Sequence, residues 1–170
     1  MHSVELTLDD PADAAVRADW ARLLRARLPS QGRHTGVSNR PHITLALTES
    51  VTQAVRDRLA AIAADLPVPL AVGALLVFGR RQYILSRQVV PNTAILGLQR
   101  RVVDALDEAV DRRGTFGAGA WTPHITLGRR FSAEQLASAM SALGSVRPVD
   151  GAGASLRLWD IGTHREDRLG

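Results

Sequence analysis

The sequence predicts a single α+β domain built from a repeated strand–helix unit, and three observations carry that expectation. Apolar residues switch several times between strand-like alternation and helix-like spacing along the chain. The pentapeptide Pro-His-Ile-Thr-Leu stands at 41–45 and again at 123–127, each copy followed by a capped helix and then by further strand signals. No low-complexity stretch or long linker divides the chain, so residues 1–170 read as one domain. Two copies of an arbitrary pentapeptide arise by chance in roughly 1% of chains this long at average residue usage, so duplication is the better explanation.

Taken in order, Ser3 to Leu8 alternates as a strand. Asp10-Pro11 then reads as an N-cap and first helical residue, opening a helix with Val16, Trp20, Leu23, Leu24 and Leu28 on one face and a stop near Pro29. Residues 30–40 are rich in turn formers and read as an exposed loop running into Pro41 and a strand from His42 to Leu47. Ser50 is the expected cap of a second helix with the stripe Val51, Val55, Leu59, Ile62 and Leu66, ended by Pro67. Strands through Phe78 and from Gln82 to Arg87 follow, joined by a turn at 79–81. Asn92 caps a third helix with Ile95, Leu98, Val102, Leu106 and Val110 inward, and the glycines from 114 to 119 break it before a strand from Thr122 to Gly128. Ser132 with Gln135 has the spacing of a capping box opening a fourth helix. Short strands are expected near 146–149, 155–159 and 161–163.

Composition narrows the chemistry. A chain of 170 residues buries roughly two-thirds of its unfolded surface without a staple. Cysteine is absent, which excludes disulfides, thiolate metal sites and a thiol nucleophile. The first residues show no basic stretch leading into an apolar run, and no apolar segment reaches membrane-spanning length, so a soluble cytoplasmic protein without membrane contact is expected. All 21 cationic side chains are Arg and none is Lys, a bias that GC-rich coding explains. Individual Arg positions still carry information, because the guanidinium fork matches phosphate.

Within each repeat, strand alternation sends His and Thr to one face and Ile and Leu to the other. If a pseudo-twofold axis relates the halves, His42, Thr44, His124 and Thr126 share one cleft. Two imidazoles supply a proton acceptor and a proton donor, and two hydroxyls supply neutral donors for nonbridging oxygens, a set suited to in-line attack on a phosphodiester. That set needs no metal or other cofactor, and two His without a third ligand at a recognisable spacing do not make a catalytic zinc site.

These paired motifs resemble the His-x-Thr signatures of the two-histidine phosphoesterase superfamily. Within it the chain is similar to bacterial 2'-5' RNA ligases, also called RNA 2',3'-cyclic phosphodiesterases, over nearly its whole length. The resemblance implies a bilobal duplicated α+β fold, with two antiparallel sheets flanking a central cleft and helices outside. It further implies opening of 2',3'-cyclic phosphates of RNA ends or nucleotides to 2'-phosphomonoesters, with His124 as base and His42 as acid. Arg129 matches the basic residue that commonly follows the second motif. The first motif runs on as Ala46-Leu47-Thr48 rather than Phe-Leu-Gly, and the opening strand differs too, so the substrate stays open.

Arg130, His34 in the loop before the first motif, and Tyr83 join Arg129 as candidate substrate contacts, each with a plain alternative. The Arg pair and His34 also suit solvent, and Tyr83, Trp121 and Phe116 suit either base stacking or core packing. Two other functions fit the same residues: 2'-5' RNA ligation by the reverse reaction, and noncatalytic nucleotide or RNA binding. A monomer is expected.

Overall fold

In a computed structural model of the chain, residues 1–106, 116 and 119–169 are described. They form β1 (His2–Leu8), α1 (Asp10–Arg25), β2 (His42–Thr48), α2 (Gln53–Ala63), β3 (Val68–Gly79), β4 (Tyr83–Val89), α3 (Thr93–Leu106), β5 (His124–Phe131), α4 (Ala133–Leu143), β6 (Val149–Asp160) and β7 (Arg165–Leu169), with one 3-10 turn at Gln31–Arg33. The order strand, helix, strand, helix, strand thus runs twice, from β1 to β3 and from β4 to β6.

All seven strands belong to one antiparallel sheet in the order β2-β1-β6-β3-β4-β5, with β7 also on β6. The expectation of two separate sheets is corrected by β6. Its first residues, Val149 to Gly153, pair with β3, and from Gly153 onward it pairs with β1, so one strand carries the hydrogen bonding across the domain. Close approach explains the glycines there: a Cβ on Gly153 would stand 2.4 Å from Leu6 Cδ2, and one on Gly151 would stand 2.8 Å from Ala12 Cβ. The same glycines obscured this strand in the sequence, which suggested two short strands near 146–149 and 155–159; the segment 161–163 is turn, not strand.

Two caps fall elsewhere than expected. Asp9, not Asp10, caps α1, because its carboxylate accepts from Ala12 N at 3.2 Å and also from Ala152 N at 2.9 Å, fastening the helix start to β6. Thr52, not Ser50, caps α2 by accepting from Val55 N. Asn92 does cap α3, accepting from Ile95 N at 2.9 Å, and the Ser132–Gln135 capping box is complete. Val110, expected on α3, lies outside the described residues.

One sheet face is apolar. Leu6 pairs with Ile43 and Leu156, Val4 pairs with Leu158, and these side chains join buried Val16, Leu23, Leu59, Ile95 and Val102 from the helices in one core. The other face of β1 carries Ser3, Glu5 and Thr7, which align with Trp159, Arg157 and Ser155 on β6. Residues of β2 and β5, the two end strands of the path, come into contact with each other. The sheet therefore curls until its edges meet.

Candidate active site

His42 and Thr44 lie on the polar face of β2, opposite Thr7 and Glu5 of β1, and His124 and Thr126 lie on β5, opposite Gln88 and Ser86 of β4. All four are half-buried. Ile43, Leu45, Ile125 and Leu127 point the other way and are at most 1% exposed, so the alternation of the pentapeptide anchors each strand while presenting its polar pair.

The two imidazoles are oriented alike. His42 Nδ1 lies 2.9 Å from the carbonyl of Arg40, and His124 Nδ1 lies 2.7 Å from that of Thr122, each two residues upstream across the proline. A carbonyl only accepts, so Nδ1 carries hydrogen in both rings and Nε2 is the atom left to exchange a proton. His124 is held below the ordinary imidazole range chiefly by its burial; the bond to Thr122 opposes this, while the charges of Arg129 and His42 add to it. The Phe78 ring contributes to that burial, packing on His124 at 4.6 Å between centroids. Residues of β2 and β5 are in contact, so the strand that carries His42 and Thr44 meets the strand that carries His124 and Thr126.

Two indoles fix the motif strands in a matching way. Trp20 Nε1 on α1 donates to the carbonyl of Thr126 at 3.1 Å, and Trp121 Nε1 donates to the carbonyl of Thr44 at 3.1 Å. Each end strand has a single strand neighbour, and each receives at its motif Thr a donor from the other half of the chain. Of the aromatic candidates, Trp121 and Tyr83 pack against the core, and the Phe116 carbonyl accepts from Gln99 Nε2.

Arg129 is exposed and close enough to His124 to act on it, whereas Arg130 is exposed with φ of 65° at the end of β5. His34 is exposed after the 3-10 turn, and its carbonyl accepts from Asn39 Nδ2. Tyr83 begins β4 opposite Phe131. No contact described brings His34, Tyr83 or Arg130 to the motif imidazoles. Among the described residues, no group of three or more His, Asp or Glu is placed to hold a metal ion. A depression of about 340 Å³ lined by His2, Arg56, Asp160 and Arg165 lies at the opposite end of β1 from Thr7 and His42.

Sequence reasoning overlooked Glu5 and Phe78. Glu5 Oε1 lies 3.6 Å from His42 Nε2, and its other oxygen lies 2.8 Å from the guanidinium of Arg157, with both side chains 5% exposed. The alternation Ser3, Glu5, Thr7 between Val4, Leu6 and Leu8 was a usable signal, because a charged residue inside a strand points away from the core. Phe78 had none, since its contact depends on the curl of the sheet.

The chain is similar to solved structures whose likeness is in the fold. TT0787 of Thermus thermophilus matches with 16% identity and a TM-score of 0.59, over 99% of this chain and 94% of that one. E. coli LigT complexed with 3'-AMP matches with 18% identity and a TM-score of 0.57, over 98% and 92%. Kluyveromyces marxianus Usb1 with uridine monophosphate matches with 15% identity and a TM-score of 0.54, over 99% and 96%. No curated protein sequence matches significantly. The family model of the 2'-5' RNA ligase superfamily matches residues 11–165, nearly the whole domain with both His-x-Thr motifs inside it, and the chain belongs to that superfamily.

Proposed function

We propose that this protein is a phosphodiesterase that opens 2',3'-cyclic phosphates of RNA ends or nucleotides to 2'-phosphomonoesters. Water attacks phosphorus as His124 Nε2 accepts its proton, the bond from phosphorus to O3' breaks, and His42 Nε2–H protonates the departing oxygen. Thr44 and Thr126 hydroxyls donate to the nonbridging oxygens as charge builds on them, and Arg129 attracts the phosphate. Arg130, His34 and Tyr83 remain candidate contacts for the rest of the substrate. The observation that carries this reading is the pair of Nδ1–carbonyl bonds, which leaves Nε2 of both imidazoles for proton exchange. The depressed His124 suits a base that must be neutral. Nucleotides bound to LigT and Usb1 support a nucleotide substrate. The element order that runs twice supports reading the domain as a duplicated unit with this cleft between its halves.

The test offers purified protein a panel of 2',3'-cyclic and 3',5'-cyclic nucleotides and oligonucleotides with excess EDTA. Formation of 2'-phosphomonoesters from the 2',3'-cyclic substrates is the expected result. Inertness toward all of them, or loss on chelation with recovery on adding a divalent ion, overturns the reading. Replacing water by a 5'-hydroxyl as the nucleophile gives the second one, favoured by the superfamily match: at high concentrations of 5'-hydroxyl and cyclic-phosphate ends the same site joins them as 2'-5' RNA linkages, with O3' leaving as before.

A further inference from the structure

The two motif strands are alike in their own residues but differ in what stands beside them. Opposite Thr44, β1 places Glu5; opposite Thr126, in the matching position, β4 places Ser86, whose buried Oγ has no hydrogen-bond partner. A buried carboxylate therefore stands opposite one motif Thr, within reach of His42, and a small hydroxyl stands opposite the other.

Glu5 is firmly held. Ser3 Oγ donates to Oε1 at 2.6 Å, and Arg157 donates to Oε2 through Nε at 2.8 Å. Arg157 is itself shared: its Nη1 donates to Glu166 Oε2 at 2.7 Å and to the carbonyl of Ser38 at 2.8 Å. One guanidinium thus answers two carboxylates. Arg168 also reaches Glu166, at 3.7 Å, with its side chain 65% exposed to water. The group 3.6 Å from the inner carboxylate of this network is His42 Nε2. At that separation the carboxylate acts by charge without a hydrogen bond, leaving Nε2–H directed to the substrate. On the other motif strand the charged neighbour of His124 is Arg129.

We propose that Glu5 is a positioning residue for proton transfer: clamped by Arg157 and Ser3, its carboxylate acts through His42 and makes the first-motif imidazole the proton donor, so that the motif strands, though alike, work in one direction. The proposal rests on the two-histidine reading above.

The test is Glu5→Gln, which keeps shape and removes charge. In the bell of kcat/KM against pH, the alkaline limb belongs to the group that must carry a proton, and without the carboxylate that proton leaves at lower pH. The alkaline limb should move to lower pH, the acid limb should stay, KM should change little, and Glu5→Asp should restore part of the shift. Because Arg157 loses a partner in Glu5→Gln, the double variant Glu5→Gln with Arg157→Met guards against simple misfolding; the limb should stay displaced there too. A folded Glu5→Gln with its alkaline limb unmoved, or with activity lowered equally at every pH, overturns the proposal. Should the parent protein turn over no phosphodiester, the proposed function fails by itself, and NMR titration of the His42 Cε1 proton, assigned through His42→Ala, still decides: a lower midpoint in Glu5→Gln supports the proposal, and an unchanged midpoint overturns it.

Discussion

An imidazole transfers protons usefully near neutrality only when its tautomer and its charge are both settled, and here different neighbours settle them. The carbonyls of Arg40 and Thr122 set the tautomer. For His124, burial and Arg129 favour the neutral ring. Arg129→Gln removes a like charge, so the proton of His124 binds more tightly and the proposed base becomes neutral only at higher pH. The acid limb of kcat/KM should accordingly move to higher pH while the alkaline limb stays. Phe78→Ala should move the same limb the same way by admitting water to the ring, and a pH–rate profile of each variant checks both. His42→Ala and His124→Ala should each lower kcat by roughly 10²-fold or more, with Thr44→Ala and Thr126→Ala costing less. Steady-state kinetics at fixed pH measures the difference. The placement of His42, Thr44, His124 and Thr126 on the polar faces of two strands was legible because alternation and repetition are local properties. Glu5 and Phe78 reach the imidazoles through strand register and sheet curl, which no local pattern encodes.

The motif strands are end strands, so their placement depends on what meets their outer edges. Trp20→Phe and Trp121→Phe keep the ring and delete one N–H each, leaving the carbonyl of Thr126 or Thr44 without its donor. Each should cost about 1 kcal/mol, or about 2–4 °C in Tm for a domain of this size, with a fall in kcat as the strand loosens. Thermal melts alongside kinetics test this, and an unchanged Tm in both variants would show that the indoles do not hold the strands. Gly128→Ala should cost more, because its Cβ would stand 2.5 Å from the carbonyl oxygen of Pro29, a backbone atom that cannot swing aside. Most elements were legible from periodicity and caps. Two exceptions share one cause: β6 continues through Gly151 and Gly153, and Asp9 wins the α1 cap, because each residue also serves a distant partner.

Alternation of strand and helix announced a mixed domain, and the repeated pentapeptide raised the expectation of two related halves, but neither told which strands pair. In the sheet order, β3 lies between β6 and β4, and β6 lies between β1 and β3. Each half of the chain has given its last long strand to the other. A fragment of residues 1–80 would hold β1 and β2 as a pair and leave β3 with no neighbour, and residues 81–170 would keep β4 with β5 and β6 with β7 while losing both β1 and β3 from the sides of β6. An unpaired strand exposes backbone donors and acceptors and strips its side chains of the opposite wall of the core, so neither fragment should fold alone. Cleavage at the exposed turn between Gly79 and Tyr83 spares every strand. Separately, each fragment should show no cooperative thermal transition and no phosphodiesterase activity. Mixed in equal amounts, they should rebuild the sheet, recover a cooperative melt and regain turnover. Activity should vanish again when either fragment carries its motif His replaced by Ala, because the proposed site draws one imidazole from each. A cooperative melt for residues 1–80 alone would mean that β3 finds support within its own half, and the exchange of strands would then not be what binds the molecule into one unit.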